Sequence, residues 1–386
     1  RVAPAPAQLQ RPAEILAAAA HPMIYVGDGI AYSEAQDELT RLAELVGALV
    51  YEADAGEVNM RHSHPLFQGA TGHMFGYQSK PITKQGDVNL IVGTYVLPEV
   101  FPELDDIFAE GSVAIHIDLN ANEIAKNHHV DYGFVSDPKL TLAALAEAVE
   151  AIVTPAQREA ARGRLERAAA EKEERARKDR EQDHASRENV PMQMSRFIAD
   201  LRKALPSGAM IFDEALTNSP PVSRYFEPEE PGSYFLTRGG SLGVGFPGAI
   251  GVKMAHPERT VIGFSGDGGA MYTNQALWTA ARHNVAAKFV VCNNGSYRLL
   301  QLNLMAYWQE RAMTPRDYPL SFDLSQPALH FADMARSMGV PSVRVEKPWE
   351  IAPAIEQMLA APGPFLIDLV LEGDTHPGLI GITCGQ

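Results

Sequence analysis

TVIGFSGDGGAMYTNQALWTAARHNVAAKFVVCNNGSYRLL, residues 260–300, carries the pattern on which the fold turns. An apolar run, TVIGFSGDG (260–268), ends in Gly266-Asp267-Gly268, and a second, AKFVVCNNG (287–295), ends in Asn293-Asn294-Gly295. Between them, residues 273–284 have helical periodicity. Apolar runs closed by glycine turns and separated by helices predict parallel strands covered on both faces. Asp267 then stands at the carboxyl edge of the sheet, where such folds bind ligands. Gly268 and Gly269 let backbone N–H groups approach an anion at the mouth of the next helix. A carboxylate, an amide oxygen and backbone carbonyls are hard donors, which suit magnesium or calcium better than zinc. Magnesium at that edge would neutralise a diphosphate held by the glycine amides. Singly, Asp-Gly and Asn-Gly pairs read as turns. Together, each ends an adjacent strand, with the 24 residues 269–292 between Gly268 and Asn293.

Outward from this stretch the alternation continues. AMIFDE (209–214), SYFLT (233–237), VPSVRV (340–345) and PFLIDLVL (364–371) read as further strands, with helices at 192–205, 242–255, 328–339 and 348–361. Upstream, PMIYVGDG (22–29), ALVYEA (48–53), VNLIVGTYV (88–96) and SVAIHIDL (112–119) form a similar series. Helices are expected there at 33–47, with Ser33 as N-cap, and at 139–152. Between the series, Thr154-Pro155 with Gln157 predicts a capping box and a charged helix. The fold class is therefore α/β, with two doubly wound parallel-sheet domains at 1–153 and 191–386 joined by a helical linker at 154–190. A coiled-coil role for that linker fails for want of a Leu or Ile seam. Residues 1–12, RVAPAPAQLQRP, read as a proline-alanine linker without an initiator Met, so a fragment or processed product of a longer polypeptide is expected.

Composition narrows the functional classes. The 386 residues carry 33 Lys+Arg against 48 Asp+Glu, a net charge of −15 that argues against nucleic acid or an anionic membrane as main partner. The two cysteines, Cys292 and Cys384, exclude a disulfide framework and a four-cysteine zinc site. No apolar stretch is long enough for a membrane helix and no signal-peptide pattern is present, so a soluble, cytoplasmic protein is expected. His62, His64 and His73 lie close together in sequence, but no carboxylate or thiol at ligand spacing makes them a metal cluster.

GDG followed by about two dozen residues and NN resembles the thiamine diphosphate-binding motif. The chain is similar to the middle and diphosphate-binding domains of the thiamine diphosphate-dependent decarboxylases and synthases, the group containing benzoylformate decarboxylase and acetolactate synthase. The resemblance implies Mg²⁺ bound by Asp267, Asn294 and the Ser296 carbonyl, with Gly268, Gly269 and Tyr297 also at the cofactor. TRGGSLGVGFPGAIGVKMAHPER (237–259) resembles the family's glycine-rich segment. It implies Leu242 as the bulky prop for the bent cofactor and the Gly240 carbonyl as acceptor for the aminopyrimidine. DEALTNSP (213–220) resembles the diphosphate-contacting segment, with Thr217 as hydroxyl donor and Leu216 where benzoylformate decarboxylase-like sequences have threonine. HPLFQG (64–69) resembles a middle-domain segment whose histidine reaches the active site in benzoylformate decarboxylase. This implies a catalytic role for His64, against the competing reading of a structural histidine.

The implied activity is decarboxylation of a 2-oxo acid. Two alternatives stay open: acetolactate synthase-like carboligation, and a non-catalytic subunit that retains the fold. Leu299, Leu300 and Asn303 are candidate substrate-pocket walls, and Met305 and Trp308 would suit an apolar acceptor. Some relatives carry a structural FAD against the middle domain. VGDG (26–29) and IDLN (117–120) are compatible with that but read first as plain βα turns. The resemblance further implies a glutamate from a pyrimidine-binding domain that nothing in 1–386 resembles, and assembly as a homodimer or tetramer. An ordinary dinucleotide-binding dehydrogenase is excluded, because no G-x-G-x-x-G opens a helix with an acid about 20 residues on.

Overall fold

The computed structural model describes residues 1–53, 55–72, 76–95, 101–238 and 240–375. The chain divides into two compact units, 1–178 with 228–231, and 179–227 with 232–386. Met74, Cys384 and the end of the 88–96 run at Val96 lie outside the described residues, as does His73.

In the first unit the strands are β1 Pro22–Val26, β2 Leu49–Glu52, β3 Phe67–Ala70, β4 Val88–Val92, β5 Val113–Asp118 and β6 Tyr132–Val135. They pair in parallel in the order β3-β2-β1-β4-β5-β6. The two central strands, β1 and β4, are buried at every position, as expected for a sheet covered on both faces. The edge strands β3 and β6 were not expected from sequence; FQGA and YGFV are short and only partly buried, so neither has a long apolar run. The helix expected from Ser33 starts instead at Gln36, and buried Ser33 closes a short helix, Gly29–Ser33.

The N-terminal linker expectation is overturned. Pro6–Ala18 is a helix: Pro6 needs no N–H in the first turn, and the Gln8 side chain accepts the Ala5 N–H at 2.9 Å. Leu9, Ala13 and Leu16 recur at helical spacing and join the first unit's core with Leu142 and Leu145 of the helix Pro138–Ile152. Helical period, hidden behind the prolines at 4, 6 and 12, outweighed composition.

The charged segment forms a 31-residue helix, Pro155–Ala185, in which Ala161 and Ala168 are the buried residues. Its capping box forms as the sequence implies: Gln157 Oε1 accepts the Thr154 N–H at 2.8 Å, and Thr154 Oγ1 accepts the Gln157 N–H at 3.3 Å. The helix does more than connect. Arg164 donates to the Val46 carbonyl at 2.7 Å, and Lys172 donates to the carbonyls of His62, His64 and Phe67, so its first turns cap loose backbone of the first unit.

In the second unit the strands are β7 Met210–Glu214, β8 Tyr234–Leu236, β9 Val261–Gly266, β10 Lys288–Asn293, β11 Ser342–Val345 and β12 Phe365–Val370. They too are all parallel, in the order β11-β12-β10-β9-β7-β8. The register between β9 and β10 pairs Gly266 with Cys292, so the two strands end side by side. The helix expected at 273–284 is found at Ala276–Arg282, and a further short helix, Asp267–Thr273, precedes it. Among the described residues, no helix is long and apolar enough to cross a membrane.

Candidate active site

At the tip of β9 the chain leaves Gly266 in an extended conformation and enters a helix at Asp267. The Asp267 side chain is almost wholly buried and ties the two strand tips together. One carboxylate oxygen accepts the Gly268 N–H at 2.8 Å; the other accepts the N–H groups of Asn294 at 3.1 Å and Gly295 at 2.6 Å. Burial pushes this carboxyl up to about 6, while the surrounding backbone N–H groups pull it back. Gly295 supplies the turn with φ of +70°, a conformation open to glycine.

The two asparagines behave differently. Asn293 turns inward, donating to Asp368 Oδ1 at 2.9 Å and to the Leu329 carbonyl at 3.0 Å. Asn294 presents its amide oxygen to the Ser296 N–H at 3.1 Å and lines the cavity beside Asp267. No three His, Cys, Asp or Glu side chains cluster as a metal cage among the described residues. A cation here would therefore rest on one carboxylate, one amide oxygen and backbone carbonyl, a donor set that fits magnesium.

A cavity of about 320 Å³ opens over these tips. It is walled by Thr217, Leu242, Asp267, Gly268, Gly269 and Asn294, and continues along Ser296, Tyr297, Leu299 and Leu300. The glycines are needed for close approach: a Cβ on Gly268 would lie 2.4 Å from the Tyr297 ring, and one on Gly269 would lie 2.8 Å from Glu214 Oε1. Thr217 and Asn218 belong to the turn Leu216–Asn218, are more than nine-tenths buried and line the cavity. A hydroxyl and an amide on a cavity wall are donors that an oxygen-rich ligand can use.

The sequence-derived candidates Asn303, Gly240, His64, Met305 and Trp308 lie elsewhere. Asn303 stands a turn further along the helix Arg298–Glu310 than Leu299 and is not in the cavity wall. Gly240, at φ +67°, is exposed and also outside the wall, although Leu242 two residues on is in it. His64 belongs to the first unit, where Nδ1 accepts the Leu66 N–H at 3.2 Å and Nε2 faces Glu44 Oε1 at 3.2 Å. Its neighbour His62 is stacked on Phe67 at 4.3 Å and, by burial and the nearby Lys172, is pushed down to about 3, so its ring is neutral. Trp308 is buried and stacked on Tyr318 at 5.7 Å, a packing role in place of an acceptor surface.

Sequence reasoning passed over two residues, Asp213 and Glu214, the last residues of β7. Both are fully buried carboxylates whose values are raised by desolvation. The available signal was an acid pair closing an apolar strand. Arg298 was also missed: it lines the cavity and pairs with Glu372 at 2.8 Å.

Sequence models for two domains of one family match this chain. The thiamine pyrophosphate enzyme central domain matches residues 9–145, and the thiamine pyrophosphate enzyme C-terminal TPP binding domain matches residues 217–369. A probable acetolactate synthase large subunit of Methanococcus aeolicus is 26% identical over 389 residues, covering 95% of this chain and 61% of that protein. The benzoylformate decarboxylase of Pseudomonas aeruginosa is 28% identical over 367 residues, covering 95% of this chain and 64% of its own length. The chain thus spans about three-fifths of the length of these relatives. In fold it is similar to a thiamine diphosphate-dependent 4-hydroxybenzoylformate decarboxylase of Rhodococcus jostii, with a TM-score of 0.77 at 22% identity over 96% of this chain and 65% of that one. With both domain matches in chain order and the motif residues gathered at one sheet edge, the chain belongs to the thiamine pyrophosphate enzyme family and carries its central and C-terminal cofactor-binding domains.

Proposed function

We propose that this chain supplies the diphosphate- and magnesium-binding part of a thiamine diphosphate-dependent enzyme that decarboxylates a 2-oxo acid. The observation that carries the reading is the Asp267 carboxylate bonded across the tips of β9 and β10, with Asn294 beside it on the wall of one cavity. Asp267, Asn294 and the Ser296 carbonyl would hold Mg²⁺. The backbone N–H of Gly269 and the Thr217 hydroxyl would receive the diphosphate, Gly268 leaves room for its approach, and Tyr297 closes that side over Gly268. Leu242 is the apolar prop in the opposite wall, and the Gly240 carbonyl, from the same loop, is the acceptor assigned to the aminopyrimidine. Leu299 and Leu300 present apolar surface to the substrate and keep water from it.

When bound, the cofactor supplies the carbon nucleophile and electron sink that decarboxylation of a 2-oxo acid needs. This chain's residues bind, orient and desolvate; the acid that protonates the pyrimidine is assigned to a separate pyrimidine-binding domain, in the same polypeptide or another, in a homodimeric or tetrameric assembly. The VGDG turn is closed by backbone packing, since a Cβ on Gly29 would lie 2.4 Å from Gly93 Cα, and the reading needs no FAD. Carboligation of the acetolactate synthase type is the second reading, favoured by an acetolactate synthase relative that matches over 95% of this chain. Product analysis with pyruvate separates them: aldehyde and CO₂, or acetolactate and CO₂. A non-catalytic role is disfavoured by the intact oxygen-donor set.

Calorimetric titration of the chain with thiamine diphosphate in the presence and absence of Mg²⁺ tests the reading. Wild type should bind in a Mg²⁺-dependent manner, and Asp267→Ala should bind at least ~100-fold more weakly, because the anionic ligand opposite the diphosphate is gone. Near-normal affinity in the variant would overturn the assignment.

A further inference from the structure

β7 ends in two consecutive acids, and successive side chains of a strand point to opposite faces. Asp213 and Glu214 therefore leave the same strand tip in opposite directions, and both are fully buried. Buried carboxylates persist where their lone pairs are met by donors, and here each is met by three. Asp213 accepts the Ala215 N–H at 2.7 Å, the Ser219 hydroxyl at 2.9 Å and the Tyr234 hydroxyl at 2.5 Å. Glu214 accepts the Gly243 N–H, the Gly245 N–H at 2.6 Å and the Ser265 hydroxyl at 3.1 Å.

The donors define the two walls of the cavity. Of the donors to Asp213, Ala215 and Ser219 flank the turn Leu216–Asn218, in which Leu216 is held at φ +54°, a left-handed conformation costly for a side-chain-bearing residue, and Tyr234 lies on β8. That turn presents Thr217 and Asn218. Those of Glu214 are Gly243 and Gly245, which directly follow the cavity residue Leu242 in the glycine-rich loop, and Ser265 on β9 just before the Asp267 turn.

We propose that Asp213 and Glu214 are a back-to-back pair of positioning residues, Asp213 fixing the Thr217 wall and Glu214 the Leu242 wall of the cofactor cavity. Neither lines the cavity. Each acts through the backbone it holds, so the pair sets the width of the cleft from a single strand tip. The inference rests on the cofactor reading for its purpose and on the hydrogen bonds alone for its geometry.

Two isosteric variants of the full chain test it, Asp213→Asn and Glu214→Gln. Each replaces one accepting oxygen by an NH₂ group that faces donors. In hydrogen exchange without cofactor, Glu214→Gln should speed exchange of peptides covering 242–246 about tenfold or more while leaving 215–219 within about twofold of wild type; Asp213→Asn should do the reverse. In calorimetry with Mg²⁺, Asp213→Asn should weaken both thiamine diphosphate and inorganic pyrophosphate about tenfold. Glu214→Gln should weaken thiamine diphosphate by a similar factor and pyrophosphate much less, since Leu242 faces the rest of the cofactor. Unchanged local exchange would overturn the proposal, as would a lowered melting temperature with unchanged affinities, the signature of a merely structural pair. Failure of wild type to bind either ligand would overturn the cofactor reading instead, and the exchange pattern would still decide the geometry.

Discussion

Glu52, the last residue of β2, has its carboxyl buried against Asn59, which donates to it at 3.1 Å. Burial, with Asp28 nearby, raises it from an ordinary 4.5 to about 8. A carboxyl raised on folding binds its proton more tightly in the folded state, so its contribution is full below pH 4.5 and is lost as pH rises toward 8. Across that window wild type should lose stability steadily from this group. Glu52→Gln, a neutral mimic, should therefore be more stable than wild type above pH 8 and similar near pH 5, measured by urea denaturation of both proteins across the range. Equal pH profiles would remove Glu52 as the cause. At this scale the sequence discloses some acids and hides others. Asp267 and Asn294 stand out because spacing and glycine turns mark them as strand tips. Asp213 and Glu214 do not, because an acid pair after an apolar run reads as a solvated strand end until a loop from about 30 residues on folds over it.

Among the elements, the N-terminal helix shows where composition misleads. Pro and Ala at 1–12 suggest a linker, yet Leu9 is 1% exposed and sits in the core with Leu142 and Leu145. Leu9→Ala should cost about 2–5 kcal/mol in urea denaturation of the first unit, the range for emptying a buried leucine site. A change within experimental error would return residues 1–12 to the status of a linker. The strands the sequence disclosed include β1, β4 and β10, buried at every position, and also the partly buried β2, β8 and β11, which lie in longer runs rich in apolar residues. The edge strands β3 and β6 escaped because their four residues, FQGA and YGFV, are each interrupted by a glycine. The long charged helix was visible through its cap, but the carbonyls held by Lys172 were not, since those contacts lie more than 100 residues apart in sequence.

For the whole molecule, two doubly wound sheets with one cofactor cradle were legible, because alternation of strand and helix repeats in both halves. What stays outside the reach of sequence is the substrate, since Leu299 and Leu300 would suit an aryl, branched or small 2-oxo acid alike. The proposed division of labour has a direct consequence. The 386-residue chain should bind thiamine diphosphate with Mg²⁺ but show no 2-oxo acid decarboxylation in a coupled assay, and turnover should appear when a glutamate-bearing pyrimidine-binding domain is supplied. Robust turnover by the chain alone would refute that division.

The adjacency of Asp213 and Glu214 makes β7 a ruler that tolerates no change of length. Inserting or deleting one residue within Met210–Glu214 would exchange the faces to which the two acids point, so both anchor points would be lost in a single step.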